Sequence, residues 1–149
     1  MNQKIRKYIS LFLSMLLLLL MTLPVAAATP APDDQVDPMS SAYISITSVT
    51  PIGGNGQVKV NFSIVAKSPM VTLGATKVEI KNSSGTVVKT FSYTSTGGMI
   101  GYYKTAFTGS VTYTGATSGA KYYAVVTFKA TNTSGSDTRT ITTGYVTAT

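Results

Sequence analysis

The clearest pattern in the chain is the alternation of apolar and polar residues over short segments. In residues 57–67 the apolar side chains fall on every second position, with Val65 as the one break: Val58, Val60, Phe62, Ile64 and Ala66. A period of two is typical of a β-strand with one face on a core and the other in water. Burial on one face favours antiparallel pairing.

Further segments share this alternation, and clusters of turn-forming residues separate them. The clusters at residues 51–56 and 82–85 are rich in Gly, Asn, Ser or Pro, which favour turns. We predict seven strands, over residues 43–49, 57–67, 76–81, 86–93, 107–113, 122–132 and 138–146. Because no segment after residue 41 has the pattern of an amphipathic helix, we expect an all-β domain, a single seven-stranded antiparallel β-sandwich.

The segment 122–132 is predicted to be the central strand. Its inward positions are apolar or aromatic: Tyr122, Ala124, Val126, Phe128 and Ala130. With Asn132 and Gly135, the segment resembles the penultimate strand of immunoglobulin-like and fibronectin type III-like domains. The resemblance implies a tyrosine corner at Gly119-x-x-Tyr122, in which the phenol hydrogen-bonds to the backbone a few residues upstream.

The first residues have the order of a secretory signal peptide. Lys4, Arg6 and Lys7 precede an apolar run at 9–23, and small residues follow Pro24. We predict cleavage after Ala28, with cleavage after Ala27 as the alternative. The alternative is a membrane anchor, but about 15 apolar residues are fewer than the roughly 17 that a spanning helix needs.

The next segment, residues 29–41, is predicted to be a disordered acidic linker. It contains Asp33, Asp34 and Asp37 together with three prolines, and it has little to bury. The remaining residues, 42–149, form one domain of ordinary size. This domain has nine Lys and Arg residues against two acids, a net charge of +7, which attracts anionic surfaces through a salt-dependent term.

The cellular compartment is indicated by the predicted signal peptide and by the absence of Cys from the chain. Secreted eukaryotic domains of this size usually contain disulfides, so a bacterial source is favoured. The plan of a leader and one Thr-rich domain resembles small secreted proteins of Gram-positive bacteria with unassigned function. We expect a secreted, extracellular monomer without stable membrane insertion after signal cleavage.

Catalysis is disfavoured by the residue inventory. Without His or Cys, the chain cannot form a Ser-His or Cys-His pair or an ordinary zinc site. Only Glu79 and Asp137 are acidic after residue 41, and Glu79 stands between Lys77 and Lys81 on a predicted solvent face. We therefore expect no enzyme and no cofactor.

Two sets of residues are candidate binding sites. The first is an apolar and aromatic segment in a region rich in Gly, predicted to be a contact loop: Met99, Ile100, Tyr102 and Tyr103. If exposed, these side chains suit a sugar ring or a protein partner. The alternative is a lid that folds over one end of the domain.

The second candidate is a predicted basic face on three strands, formed by Lys59, Lys67, Lys77, Lys81 and Lys89. Such a face would suit anionic wall polymers or acidic glycans. The alternative is that these lysines only keep the protein soluble, because exposed lysines also discourage aggregation through strand edges.

The function expected from these features is a non-catalytic binding or interaction module at the bacterial cell surface. Its partner would be a cell-wall polymer, a glycan or a protein. Nucleic acid is disfavoured, because the domain holds one Arg and has no aromatic-basic interleaving. The alternative function is a structural protein that self-associates through exposed edge strands, suggested by the Thr-rich segment 138–146.

Overall fold

Seven β-strands make up most of residues 41–149, the part of the chain that the computed structural model describes. They are β1 (Ile44–Gly54), β2 (Gln57–Asn82), β3 (Val87–Ser92), β4 (Ile100–Tyr113), β5 (Lys121–Asn132), β6 (Gly135–Thr142) and β7 (Val146–Thr147). The predicted signal peptide, and the predicted linker up to residue 40, lie outside the described residues. Within 41–149 there is no helix with the length and apolarity that a membrane crossing requires.

The strands form one antiparallel sheet in which β2 has the most partners. β2 pairs with β1, β3, β4 and β5, while β5 also pairs with β6 and β7. The prediction of an all-β, antiparallel fold is therefore confirmed. The segment 122–132 is also confirmed as a central strand, because β5 has β2 on one side and β6 on the other.

β2 joins two segments that were predicted as separate strands, 57–67 and 76–81. Pairing with β1 ends at Ala66 and pairing with β5 begins at Thr72. The register with β4 also shifts between Val65 and Met70. Pro69 lies in this gap, where its missing N–H removes no ladder hydrogen bond. Proline therefore marks an exchange of partners in β2 rather than the end of a strand.

β2 also bends, and the bend brings its two halves around one core. On a straight strand Phe62 and Ala75 would be about 43 Å apart. Ala75 pairs with Phe128, yet the rings of Phe62 and Phe128 are only 6.2 Å apart, edge to face. Both rings are buried, and every predicted inward residue of 57–67 and 122–132 is buried with them.

The predicted last strand, 138–146, is divided into β6 and β7. Between them Thr143 is buried and bonds twice to Ala124: its N–H donates to the Ala124 carbonyl at 2.9 Å, and its hydroxyl accepts from the Ala124 N–H at 3.0 Å. In a regular strand a backbone carbonyl would accept from the Ala124 N–H, and here the Thr143 hydroxyl accepts instead. The chain can therefore leave the ladder without a buried polar group losing its partner.

The expected hydrogen bond between the Tyr122 phenol and the upstream backbone is present. The Thr117 N–H donates to the Tyr122 phenol at 2.9 Å, and the Tyr122 ring packs edge to face against Tyr113 at 6.2 Å. This contact holds the turn before β5 against the end of β4.

Candidate functional site

The predicted contact loop is divided by the structure, because its first residue belongs to the core. Met99 is 1 % exposed, and its carbonyl accepts a hydrogen bond from the Ala75 N–H at 2.8 Å. The interpretation of Met99 as a contact residue is therefore wrong. Its side chain anchors the turn that leads into β4, and the residues after it belong to that strand.

The other three residues of the predicted loop remain accessible to different degrees. Ile100 is half-buried, whereas Tyr102 is 59 % exposed and Tyr103 is 80 % exposed. Tyr103 has a φ of 54°, in the left-handed region that non-glycine residues rarely adopt. The kink lies in a run of five exposed residues, 102–106, that interrupts the alternation of β4.

Ile100 and Tyr102 line a groove on the outer face of the sheet, here called the outer-face groove. It has a volume of about 260 Å³ and combines aromatic, aliphatic, hydroxyl and charged side chains from β2, β4, β5 and the turn after β3. The lining residues are Thr72, Thr76, Tyr93, Ile100, Tyr102, Lys129 and Thr131. Its volume is close to the lower end of the range for small-molecule sites.

Strand register explains why a groove forms at this place. Thr72 of β2 lies between Thr131 of β5 and Tyr102 of β4. In the next row, Gly74 lies between Lys129 and Ile100. The middle position of that row has no side chain, so none projects between Lys129 and Ile100. Gly74 also has no room for one: a Cβ there would lie 2.3 Å from the Met99 carbonyl oxygen.

Tyr93 closes the third side of the groove. Its N–H donates to the Thr76 carbonyl at 3.2 Å, which fixes the chain just after β3 ends. The Thr76 hydroxyl donates to the Thr127 carbonyl at 3.2 Å. With Tyr93 46 % exposed, two tyrosines from different elements offer accessible aromatic surface at one groove.

The predicted basic face is not a single surface. Lys77 and Lys81 share one face of β2 with Glu79, whose carboxylate oxygens lie 2.9 Å and 3.9 Å from the two ammonium groups. Lys59 and Lys67 lie on the other half of β2, where Lys59 pairs with Ile52 and the Lys67 ammonium donates to the Ser41 carbonyl. The four lysines of β2 therefore do not form one patch. Lys59 and Lys67 lie far along the strand from Lys77 and Lys81, and the Glu79 carboxylate lies between the latter two.

Lys89 lies on the opposite face of the sheet, so its assignment to the basic face is wrong. It pairs with Ile80, which is fully buried, and its ammonium lies 5.5 Å from the centroid of the Phe91 ring. A bulge between Ile80 and Lys81 places one extra residue in β3. Without that residue Lys89 would stand opposite Glu79, on the face that the sequence predicts.

The two acids of the described residues do not form a paired site. Glu79 lies on the outer face of β2, whereas Asp137 of β6 pairs with buried Ala130 on the inner face. Asp137 accepts hydrogen bonds from the Ser41 hydroxyl and from the Tyr43 N–H. Within residues 41–149 no cluster of three or more His, Cys, Asp or Glu residues is placed to bind a metal ion.

Most of the groove was not anticipated from the sequence. Ile100 and Tyr102 belonged to the predicted contact loop, but Thr72, Thr76, Tyr93, Lys129 and Thr131 were not assigned to a site. Two signals were available. Lys129 and Thr131 fall on the outward positions of the predicted strand 122–132, and a glycine inside an apolar run, as at position 74, marks a close approach of backbones.

Comparison of the chain with protein-family models, with curated proteins and with solved structures finds no match.

Proposed function

We propose that this chain is a secreted, non-catalytic binding module whose outer-face groove takes one sugar unit of a cell-surface glycan. The observation that carries the proposal is the presence of Tyr93, Tyr102 and Ile100 beside hydroxyl side chains in one small groove. Exposed aromatic and aliphatic surfaces pack against the C–H faces of a sugar ring, and polar groups at the rim hydrogen-bond to its hydroxyls.

The domain that presents the groove is proposed to be a β-sandwich of the immunoglobulin-like or fibronectin type III-like kind. Two contacts support this architecture. The packing of Phe62 on Phe128 joins the two halves of the bent β2 through the core. The hydrogen bond between Thr117 and Tyr122 has the geometry expected of a tyrosine corner.

A binding role, rather than catalysis, is supported by which side chains reach the groove. Among the described residues that line it, Lys129 alone carries a charge. Glu79 and Asp137 lie on opposite faces of the sheet, and the sequence has no His or Cys. Export follows from the signal-peptide pattern of residues 1–28.

Adjacent tyrosines provide a matched test of the proposal. We expect Tyr102→Ala to weaken oligosaccharide binding about tenfold, because an aromatic anchor at a binding site contributes more than about 1 kcal/mol. Tyr103→Ala removes a still more exposed ring that does not line the groove, and it should change affinity less than about twofold. Isothermal titration calorimetry with neutral and acidic oligosaccharides measures both.

Equal losses in the two variants would contradict the assignment of the groove, as would unchanged binding by Tyr102→Ala. No binding of any oligosaccharide by the unsubstituted protein would contradict the function itself. Thermal unfolding of both variants provides the control for folding.

Self-association through strand edges is the second candidate. Among the described strands, β4 pairs with β2 alone and so presents a long second edge, which favours addition of another strand. β6 is less suited, because Asp137 and Arg139 lie on its inner-face positions, and inward-pointing charges protect an edge. Light scattering that rises with protein concentration and ignores added glycan would favour self-association.

A further inference from the structure

Lys129 stands out in the outer-face groove because neither acid of the described residues neutralises it. The Glu79 carboxylate lies within 4 Å of Lys77 and Lys81. Asp137 accepts from Ser41 and Tyr43 on the inner face. Within residues 41–149 no carboxylate therefore pairs with the Lys129 ammonium.

The place of Lys129 in the groove makes this charge available to a ligand. Lys129 lies on the outward positions of β5, in the row of Gly74 and Ile100. Its neighbour across the row has no side chain that could cover it, and Thr138 of β6 lies on its other side. A ligand packed between Tyr93 and Tyr102 would lie beside an ammonium group and hydroxyls, with no acid lining the groove to repel an anion.

We propose that the sugar bound in this groove carries an anionic group, a carboxylate or a phosphate, and that Lys129 pairs with it. The inference rests on the proposed function, since it names the class of glycan. A hydrogen bond between an ammonium group and an anionic oxygen is roughly twice as strong as one between neutral groups. The net charge of +7 in the domain adds a long-range attraction for the same class of ligand.

The test compares Lys129→Gln with Lys121→Gln. Lys121 begins the same strand, lies on the same set of alternating positions, and is exposed, but it does not line the groove. Both variants lose one positive charge, so any difference between them reflects the local contact. The probes are trigalacturonic acid, the neutral galactose trimer with the same linkage, and that galactose trimer carrying a phosphate ester, titrated by calorimetry at two salt concentrations.

We expect Lys129→Gln to weaken binding of an acidic trimer about 10- to 100-fold, the range for a hydrogen bond to a charged group. Lys121→Gln should weaken it less than about threefold, through the screened general attraction alone. The neutral trimer should bind the unsubstituted protein more weakly than the acidic one. Whichever acidic trimer binds tighter identifies the anion as carboxylate or phosphate, and either result supports the inference.

Three results would overturn it. Equal losses in Lys129→Gln and Lys121→Gln would assign the effect to net charge. Equal affinity for neutral and acidic trimers would overturn the inference and leave the glycan-binding function standing. No binding of any of the three probes would overturn both. Thermal unfolding of each variant shows whether the fold is intact, and both substitutions lie at exposed positions.

Discussion

At the scale of single residues, Asp137 connects the beginning of β1 to β6. It accepts from the Ser41 hydroxyl, and the Tyr43 N–H donates to it at 2.6 Å. Ser41 in turn accepts from the Ile44 N–H at 2.7 Å. The hydrogen bond from Ser41, and then that from Tyr43, lower the pKa of Asp137 below its ordinary value of 3.8. The ionised carboxylate therefore stabilises the fold.

The sign of the pH dependence follows from this lowered pKa. A carboxyl with a lower pKa in the folded than in the unfolded state contributes stability above the unfolded value, and loses it as the pH falls through the folded value. We expect Asp137→Asn to be less stable than the unsubstituted protein at pH 7, with a difference that shrinks below about pH 4. Urea unfolding across an acid series measures it. A difference that stays constant with pH would contradict the role of the charge.

Two neighbouring tyrosines show how a single backbone angle changes the role of a residue. Tyr102 lies on the outer face and lines the groove. Tyr103, the next residue, has a positive φ that turns it out of the regular alternation. Backbone strain of this kind costs on the order of 1 kcal/mol and is frequent near functional sites. Here the strained residue, Tyr103, adjoins the groove, and its neighbour Tyr102 lines it.

At the scale of elements, β2 determines both the sheet and the groove. It exchanges β1 for β5 near Pro69, and a few residues later Gly74 lets β4 approach closely. The outer-face groove lies at this point, where β4, β2 and β5 are adjacent and the central position of one row has no side chain.

The close approach at Gly74 gives a prediction about stability. In Gly74→Ala the new Cβ would lie 2.3 Å from the Met99 carbonyl oxygen and 2.6 Å from the Ile100 Cα, so β4 must move. We expect a loss of about 1–3 kcal/mol in the free energy of unfolding. Gly97→Ala is the matched control, because a Cβ at 97 meets nothing within 4 Å, and it should cost less than about 0.5 kcal/mol.

Urea unfolding of both variants measures these costs. If Gly74→Ala were as stable as Gly97→Ala, β4 would not pack on β2 at this row as closely as the structure shows. The geometry of the groove would then be wrong as well.

At the scale of the whole molecule, alternation predicted which faces of 57–67 and 122–132 are buried, but not the course of β2 between its two halves. The inward residues of 57–67 and 122–132 are all buried, because a period of two is a local property of the chain. The course of residues 68–75 was missed, since Ser68-Pro69 has the composition of a turn. Pro69 is compatible with a strand only because β2 changes partners there, a fact about distant segments.

The candidate site was predictable only in part for a related reason. Ile100 and Tyr102 were identified by their apolar and aromatic character within one segment. Lys129 and Tyr93 join them only through the pairing of β5, β3 and β4 with β2, and the alternation within one segment does not specify these partners. Lys89 was misplaced because one extra residue in β3 reverses its face, and the adjacent apolar residues Val87 and Val88 mark the place where the alternation breaks.

The location of the ligand on the protein, measured by amide chemical shifts during titration with oligosaccharide, tests the proposed glycan site most directly. The largest shifts are expected at Thr72, Gly74 and Thr131, around the outer-face groove. Few or no shifts are expected on the outer face of β1 and the first half of β2, where Ser48 pairs with Ser63. Shifts confined to Ser48 and Ser63, with none around Thr72, would contradict it.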